Sequence, residues 1–183
     1  HRNAKTYDES MANATMLHEL GCTNKMLGQE AVFSLEPALK ETGGDILGGV
    51  HTPHDESGDA HAFTRNLALS CASRGATFRY NETVSDFVHE AGRITSVITN
   101  KGHYEADAYV LSIASYTPQL VGPLGLKLPI YPTKGYSVTI PIGGHNNAPH
   151  ISISDEDNRI VFTRLGDRLR VAGTAEFDGF NTE

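Results

Sequence analysis

The 183-residue chain has few cysteines, and it lacks both a basic run and a long apolar run. Its two cysteines, Cys22 and Cys71, lie far apart and outside any C-x-x-C pattern, which excludes a disulfide scaffold and a zinc knuckle. No window approaches the roughly 18 apolar residues that a membrane-spanning helix needs. With 15 Lys and Arg against 22 Asp and Glu, the net charge is −7. We therefore expect no nucleic-acid partner, because binding phosphates needs a basic surface.

Motifs that by themselves indicate catalysis are also missing. The sequence contains neither G-x-G-x-x-G nor a P-loop pattern, and it contains no G-x-S-x-G nucleophile elbow. One loop collects metal-ligating residue types: His51, His54, Asp55, Glu56, Asp59 and His61. Its H-x-x-H-D-E spacing lacks the i, i+4 geometry of a hydrolytic zinc motif. We interpret this loop as solvated and helix-capping, and we predict neither a metal site nor a catalytic residue in this chain.

Hydrophobic periodicity and turn residues predict both helices and strands. Helices are predicted at Thr6–Leu20, at Leu27–Lys40 with an end or kink at Pro37, and from a cap at Ser57 or Asp59 to Gly75. Strands are predicted at Gly44–Pro53, Ala76–Tyr80, Thr83–Glu90, Arg93–Asn100, His103–Asp107, Ala108–Ala114, Ile130–Ile142, Ile151–Ser154, Arg159–Thr163 and Leu169–Ala175. The apolar run Ala108–Ala114 is typical of a strand buried on both faces in a parallel sheet.

Segments of two structural types alternate along the chain. Residues 52–115 have the strand, helix and strand order of an α/β layer, followed by a predicted β-meander. Residues 1–51 combine helices with one strand, and residues 116–183 predict antiparallel strands punctuated by proline. The fold class is therefore α+β, and we expect the chain to leave one domain, visit another and return.

The residues alone suggest two places where a ligand could bind. Small side chains end the apolar run at Ser112–Ser115, where a ligand could approach the backbone, although a core strand that ends in an ordinary turn is the simpler interpretation. Lys134, Gly135 and Tyr136 either line a pocket or form a bulged strand with an exposed lysine. The residue pattern leaves both alternatives open.

Several sequence blocks occur together and in order between about Ser10 and Glu183. They are DESGD (55–59), FTxxLA (63–68), GATFRYN (75–81), ADAYV (106–110), YPxKGYSxTIPI (131–142), RLRVxGxAE (168–176) and GFNTE (179–183). In combination they resemble the small subunits of bacterial D-amino-acid dehydrogenases. These belong to the FAD-dependent flavoproteins related to D-amino-acid oxidase, glycine oxidase and sarcosine oxidase.

The resemblance implies a fold and an activity. It assigns residues 1–51 and 116–183 to a substrate domain and residues 52–115 to part of an FAD-binding domain. The implied reaction is transfer of a hydride from the α-carbon of a D-amino acid, typically D-alanine, to the flavin. The imino acid then hydrolyses to a 2-oxo acid and ammonia. The implied electron acceptor is a quinone chain, with the protein in the cytoplasm and peripheral on the bacterial inner membrane.

The resemblance also implies roles for individual residues. It places Val84 on a strand whose main chain meets the adenine side of FAD, and it places Ser112 and Ala114 near the phosphate side. Relatives commonly have glycine at the position of Ala114, and an alanine Cβ limits how closely a ligand can approach. Three further residues match elements that line the substrate pocket: Lys134, Tyr136 and Ile160.

Two family motifs are not found in this sequence. The dinucleotide motif G-x-G-x-x-G would precede His1, and a late Gly-Leu-Arg-Pro motif, whose arginine grips the substrate carboxylate, would follow Glu183. We therefore expect a central fragment that by itself is inactive and does not retain FAD. Two alternatives remain open: a fragment of an amine, glycine or sarcosine oxidase-like flavoenzyme, and a non-catalytic binding module.

Overall fold

The computed structural model describes residues 1–42, 45–144 and 147–181. The chain divides into two compact units. The first unit comprises His1–Phe63 and Gly135–Glu176, and the second comprises Thr64–Lys134 and Phe177–Glu183. The chain thus leaves one unit and returns to it. The assignment of the segments to substrate and FAD-binding domains, with boundaries at 51 and 115, stays a prediction.

Helices and antiparallel strands both occur, which confirms the α+β class. In the described parts of the chain the α-helices are α1 (Ala4–Glu19), α2 (Gln29–Leu35), α3 (Ala60–Ser73) and α4 (Thr117–Val121). The strands there are β1 (Lys25–Gly28), β2 (Gly48–His51), β3 (Val84–Glu90), β4 (Arg93–Thr99), β5 (Gly102–Tyr104), β6 (Lys134–Pro141), β7 (Ile153–Asp155), β8 (Ile160–Leu165) and β9 (Arg168–Glu176). None of these helices has the length and apolar character needed to cross a bilayer.

Local sequence signals explain where the helices of the first unit end. The side chain of Asn3 accepts a hydrogen bond from the Lys5 N–H and caps α1, and Gly21 follows that helix with a φ of 91°. Helix α2 stops at Leu35, and Pro37 opens a separate 3-10 helix. The predicted break at Pro37 is confirmed, because proline lacks the N–H that a continuing helix needs.

Strands β1 and β2 form an antiparallel pair at a close approach of backbones. A Cβ added to Gly48 would overlap the Leu27 carbonyl oxygen and would lie 2.8 Å from the ring of Tyr7. Only glycine fits there, as the glycine-bounded sequence around this strand suggested. The predicted strand began at Gly44, which lies outside the described residues.

The order of the four-stranded sheet in the first unit is β6-β9-β8-β7. Strand β8 pairs antiparallel with both β7 and β9, which confirms the predicted antiparallel character of the later strands. The carboxylate of Asp155 accepts hydrogen bonds from the backbone N–H of Asn158 at 3.1 Å and from its amide group at 2.9 Å, which closes the predicted turn. Strand β6 begins only at Lys134 and not at Ile130, because Pro132 interrupts the predicted strand.

The second unit contains the predicted β-meander, in the order β3-β4-β5. Ala91 and Gly92 connect β3 and β4, and both have positive φ values, of 50° and 78°. Two such residues form the two-residue hairpin turn whose twist matches that of the strands. The meander is therefore built from local turn chemistry, as the sequence predicted.

Two predicted strands are wrong. Ala76–Tyr80 and Ala108–Ala114 are not strands, and Val110, in the middle of the second segment, is 90% exposed. A strand needs a neighbour to accept and donate its backbone hydrogen bonds. Among the described residues no strand pairs with either segment, so the apolar pattern by itself does not produce a buried strand.

The largest fully buried side chain in the described residues is a carboxylate. Glu36 is 1% exposed, and it follows α2 directly. Its oxygens accept hydrogen bonds from three backbone N–H groups, those of His150 at 2.6 Å, Ile151 at 3.2 Å and Ala38 at 3.2 Å. Glu36 thus connects two segments of the first unit that lie far apart in sequence.

We predict that Glu36→Gln lowers the free energy of unfolding by about 1–3 kcal/mol. The amide replaces an acceptor oxygen with an N–H donor, so at least one buried backbone N–H loses its partner. Urea denaturation measures the effect. Glu56→Gln, in an exposed loop, is the matched control and should change stability little. Equal losses in the two variants would contradict this account of Glu36.

A second carboxylate holds the start of α1. Asp157, in the turn between β7 and β8, accepts hydrogen bonds from the backbone N–H groups of Arg2 at 2.5 Å and Asn3 at 3.3 Å. It also accepts one from the hydroxyl of Thr6 at 2.5 Å. The Thr6 hydroxyl and then the Arg2 N–H hold the pKa of Asp157 below its ordinary value.

The lowered pKa gives the pH dependence of this contact. The ionised form is favoured in the folded state, so the stabilisation is fully present above the unfolded pKa of about 4 and is lost as the pH falls through the lower folded value. We predict that Asp157→Asn unfolds at lower urea concentration than the original chain at pH 7, and that the difference between the two midpoints shrinks as the pH falls below about 4. Asp8→Asn, exposed on α1, is the control and should show no such convergence.

Candidate functional site

The predicted cofactor residue Val84 lies at the first position of β3, beside a cavity of about 290 Å³. Its side chain is 42% exposed. The cavity lies within the second unit and is lined by Arg79, Glu82, Val84, Val97, Thr99, Tyr104, Ala106 and Tyr109. Of these residues, sequence analysis had singled out Val84 alone.

Strand register explains why these side chains meet. Val84 pairs with Thr99, and Val97 pairs with Tyr104. Residues directly opposite each other on neighbouring strands share a face, and so do residues two apart on one strand. Since Val97 and Thr99 are two apart on β4, all four side chains lie on the same face of the meander.

The rim of the cavity is polar. The carboxylate of Glu82 accepts a hydrogen bond from the hydroxyl of Thr99 at 2.7 Å. The guanidinium carbon of Arg79 lies 4.4 Å from the ring centroid of Tyr104, a cation–π contact. Apolar walls with a few oriented polar groups are typical of a small-molecule binding site.

Tyr109 closes another side of the cavity. Its hydroxyl donates a hydrogen bond to the Thr95 carbonyl at 2.6 Å and accepts one from the Ala106 N–H at 2.9 Å. These two bonds attach the segment after β5 to the middle of β4. Tyr109 is therefore fixed as part of the wall, although the predicted strand that contains it does not form.

Electrostatics keep Glu82 ionised and Tyr104 neutral at this cavity. The pKa of Glu82 is lowered, chiefly by hydrogen bonding to the Tyr104 hydroxyl and then to Thr99, with smaller effects of the Arg79 and Lys101 charges. The pKa of Tyr104 is raised, chiefly by Glu82. At neutral pH, Glu82 is therefore an anionic acceptor and Tyr104 a neutral donor. Neither has a pKa near neutrality, as an efficient general acid or base would.

The other two predicted cofactor residues lie outside the set that lines this cavity. Ser112 and Ala114 are both exposed, and Ala114 opens a short 3-10 helix that continues to Tyr116. Ala114 has a φ of 46°, in the left-handed region that favours glycine. This conformation gives a physical reason for the expectation, drawn from the family resemblance, that glycine is common at this position.

Two of the predicted substrate residues, Tyr136 and Ile160, lie on strands of the four-stranded sheet. Tyr136, on β6, is 52% exposed, and its hydroxyl donates a hydrogen bond to the carboxylate of Glu176 on β9. Ile160 opens β8 opposite Gly173, where an added Cβ would lie 3.0 Å from the Arg159 carbonyl oxygen. Both belong to the first unit.

Lys134, the third predicted substrate residue, belongs to the second unit. Its ammonium group donates a hydrogen bond to the Asn181 carbonyl at 3.1 Å. The ammonium is therefore not simply solvated, as it would be on an exposed bulge. The roles of Lys134, Tyr136 and Ile160 toward a substrate stay predictions.

In the histidine-rich loop, Asp59 stabilises the fold. Asp59 accepts a hydrogen bond from the Ala62 N–H at 2.9 Å, which confirms it as a cap of α3, and it forms an ion pair with Arg168 at 2.9 Å. The Ala62 N–H is the main cause of its lowered pKa, and Arg168 lowers it further. Within residues 1–42, 45–144 and 147–181, no group of His, Cys, Asp and Glu is placed to hold a metal ion.

We predict that Ala114→Gly raises the free energy of unfolding by about 0.5–1 kcal/mol. Left-handed backbone costs a residue with a Cβ roughly 1–2 kcal/mol, and the greater freedom of glycine in the unfolded chain offsets part of that gain. Ala68→Gly, inside α3, is the control with the opposite sign and should destabilise by about 1 kcal/mol. Urea denaturation of both variants measures the difference, and a loss of stability in both would contradict the strain at Ala114.

Curated relatives are similar to this chain over almost all of its length. A D-amino acid dehydrogenase of Methylobacterium nodulans is 48% identical over 181 residues, which are 98% of this chain and 43% of that protein. The D-amino acid dehydrogenase of Bradyrhizobium diazoefficiens is 39% identical over 182 residues, which are 100% of this chain and 43% of that protein. The chain thus spans less than half of the length of these relatives.

Solved structures show the same fold. Glycine oxidase from Bacillus cereus matches with a TM-score of 0.87 at 25% identity, over 99% of this chain and 48% of that one. L-proline dehydrogenase from P. horikoshii matches with a TM-score of 0.82 at 20% identity, over 98% of this chain and 48% of that one. The family model described as FAD dependent oxidoreductase matches residues 1–183. The chain therefore belongs to the FAD-dependent oxidoreductase family.

Proposed function

We propose that this chain acts within a longer FAD-dependent dehydrogenase that oxidatively deaminates D-amino acids, typically D-alanine, to 2-oxo acids and ammonia. The relatives from Methylobacterium nodulans and Bradyrhizobium diazoefficiens, which are 48% and 39% identical, bear the name D-amino acid dehydrogenase and match over 98% and 100% of this chain. The family is FAD-dependent. The cavity beside Val84 is the structural observation that carries the proposal.

The residues around this cavity fit the adenine end of FAD. Adenine has two apolar faces and a polar edge, so it suits a cavity that combines aliphatic and aromatic walls with a hydrogen-bonding rim. Val84 and Val97 supply the aliphatic wall, and Tyr104 and Tyr109 supply rings. We assign the main chain of Val84 to the adenine edge, as the family resemblance implies.

Ser112 and Ala114 are assigned to the phosphate side. Ile113 has φ −110° and ψ 18° and Ala114 follows with φ 46°, so the chain turns sharply into the 3-10 helix, where the Tyr116 N–H donates to the Ile113 carbonyl at 3.1 Å. Such turns present backbone N–H groups to anions. The Cβ of Ala114 keeps the phosphates farther from the backbone than a glycine at this position would.

The flavin supplies the hydride acceptor when bound, and the protein supplies orientation and electrostatics. In this proposal Tyr136 and Ile160, both in the first unit, contact the substrate. The carboxylate of Glu176 accepts the Tyr136 hydrogen bond, so it fixes the direction of that hydroxyl. Because its one hydrogen goes to Glu176, the Tyr136 hydroxyl can accept a hydrogen bond from the substrate amino group, and Ile160 supplies an aliphatic contact; these contacts orient an amino acid without taking part in the transfer itself.

The exposed surface supports action within a longer polypeptide. The accessible surface is 13613 Å², whereas a folded monomer of 19.8 kDa has about 8,600 Å². In the described residues the buried hydrophobic side chains are those of Ala14, Ile46, Val121 and Ile142. Much apolar surface therefore remains for further chain or cofactor to cover. We propose that the isolated chain neither retains FAD nor catalyses the reaction.

We propose a quinone chain as electron acceptor, with the enzyme in the cytoplasm and peripheral on the inner membrane. The name dehydrogenase on the relatives supports an acceptor other than dioxygen. One observation favours a second candidate, a glycine oxidase-like activity: the TM-score of 0.87 with glycine oxidase from Bacillus cereus. The two candidates differ in acceptor and in substrate.

The test is anaerobic bleaching of the flavin absorbance in the full-length protein, followed by assays with a soluble quinone and with dioxygen. D-Alanine should bleach the flavin and L-alanine should not, and electrons should pass to the quinone. Bleaching by glycine with rapid peroxide formation would favour the oxidase. No bleaching by any amino acid would favour a non-catalytic module. The isolated 183-residue chain should show neither flavin nor turnover.

Variants test the substrate assignment in the same protein. Tyr136→Phe removes the oriented hydroxyl and should raise the KM for D-alanine about tenfold, the effect of losing one hydrogen bond of about 1.4 kcal/mol. Tyr80→Phe, an exposed tyrosine outside the assigned pocket, is the matched control and should leave KM unchanged. An unchanged KM in Tyr136→Phe would remove Tyr136 from the pocket.

A further inference from the structure

We infer that Glu82 is a positioning residue for the adenine side of the cofactor, because it fixes the start of β3 and with it the main chain of Val84. The inference rests on the proposed function, which places the adenine end of FAD beside Val84. Glu82 lies two residues before Val84, and its side chain faces the same cavity.

The start of β3 needs such a contact because its strand pairing is interrupted there. Val84 pairs with Thr99, but the register shifts before Asp86, where the next pair forms with Ile98. A register shift of this kind leaves a residue unpaired and bends the strand. The ladder of hydrogen bonds by itself therefore does not hold Val84 in a single position.

The chain before β3 is irregular as well. Asn81 has a φ of 55°, in the left-handed region, and it is exposed. Asparagine tolerates that conformation better than most residues do. The turn at Asn81 directs the chain towards β3. The position of Val84 then depends on the contacts of Glu82 and Thr83, which lie between Asn81 and Val84.

Side-chain contacts hold these two residues. The Thr83 N–H donates to the side-chain oxygen of Asn100 at 2.9 Å, and the Asn100 N–H donates to the Thr83 carbonyl at 3.1 Å. The carboxylate of Glu82 accepts the Thr99 hydroxyl at 2.7 Å. Thr83 is thus attached to the end of β4 through Asn100, and Glu82 is attached through Thr99 on the cavity side.

Thr99, which donates to Glu82, is also hydrogen-bonded to the turn between β4 and β5. The hydroxyl oxygen of Thr99 also accepts hydrogen bonds from the N–H groups of Lys101 and Gly102, each at 3.1 Å. Glu82 therefore connects the entrance of β3 to a turn that is itself fixed. A change at Glu82 should move Val84 while leaving that turn in place.

Charge strengthens the contact. Arg79, Lys101 and Tyr104 surround Glu82 and favour its ionised form. Hydrogen bonds to an ionised acceptor are about twice as strong as neutral ones. A glutamine at this position keeps the size of the side chain but loses the charge. Glu82→Gln therefore weakens the hydrogen bond from Thr99 without leaving a void in place of the side chain.

The experiment measures FAD binding to the full-length apoprotein by calorimetry. Glu82→Gln should raise the Kd for FAD about tenfold, and it should weaken ADP, used as a competitor, by a similar factor. At saturating FAD, the absorption spectrum of the bound flavin should match that of the original protein, because the isoalloxazine end is untouched. Glu90→Gln, at the exposed far end of β3, is the matched control and should change neither Kd nor spectrum.

A second variant distinguishes loss of the Glu82 contact from a folding defect in Glu82→Gln. Tyr104→Phe removes the hydroxyl beside Glu82 but keeps the ring under Arg79, and it should raise the Kd for FAD about threefold, with no further loss when combined with Glu82→Gln. Unchanged FAD and ADP affinity in Glu82→Gln would overturn the inference, and so would a changed flavin spectrum, which would indicate general disruption. If the original protein binds no FAD, the proposed function itself fails.

Discussion

The pairing of β3 with β4 is the constraint on which the candidate site depends. Once Val84 lies opposite Thr99, the alternation of side chains along β4 places Val97 on the same face, and the next pairing adds Tyr104. A slip of one residue would turn Val84 to the other face of the meander and leave no cavity beside it. The positive φ values in the turn between the two strands help to fix this register, so a local feature of the backbone decides which side chains can form a binding site.

Carboxylates hold the irregular parts of this acidic chain. Glu36 accepts three backbone N–H groups, Asp157 accepts two together with a hydroxyl, and Glu82 accepts the hydroxyl of Thr99. Each of these carboxylates lies outside regular secondary structure, and each contacts residues distant in sequence. Because hydrogen bonds to ionised acceptors are strong, they fix segments that the small hydrophobic core of the described residues leaves unsupported. The negative net charge of the chain thus includes groups that stabilise the fold.

Local signals in the sequence were sufficient for the meander, the break at Pro37 and the cap of α3, because a turn, a proline or a cap acts on adjacent residues. They failed at Ala108–Ala114, where an apolar run forms a buried strand only if another strand lies beside it. The strain at Ala114 comes from a positive φ, which composition and periodicity do not reveal. Glu82 was missed for a related reason: nothing in its neighbours distinguishes it, and its contact with Thr99 exists only after the strands have paired.

The pKa shifts of Glu82 and Tyr104 indicate what these two cavity residues can do chemically. A lowered pKa at Glu82 and a raised pKa at Tyr104 keep both groups in one protonation state across the neutral range. Such groups can hold a ligand in a fixed orientation, but they cannot exchange protons with it as the reaction proceeds. In an FAD-dependent family the redox step belongs to the cofactor, and the protein supplies binding and orientation. Fixed charge at this cavity is therefore consistent with a binding role and argues against a separate catalytic one.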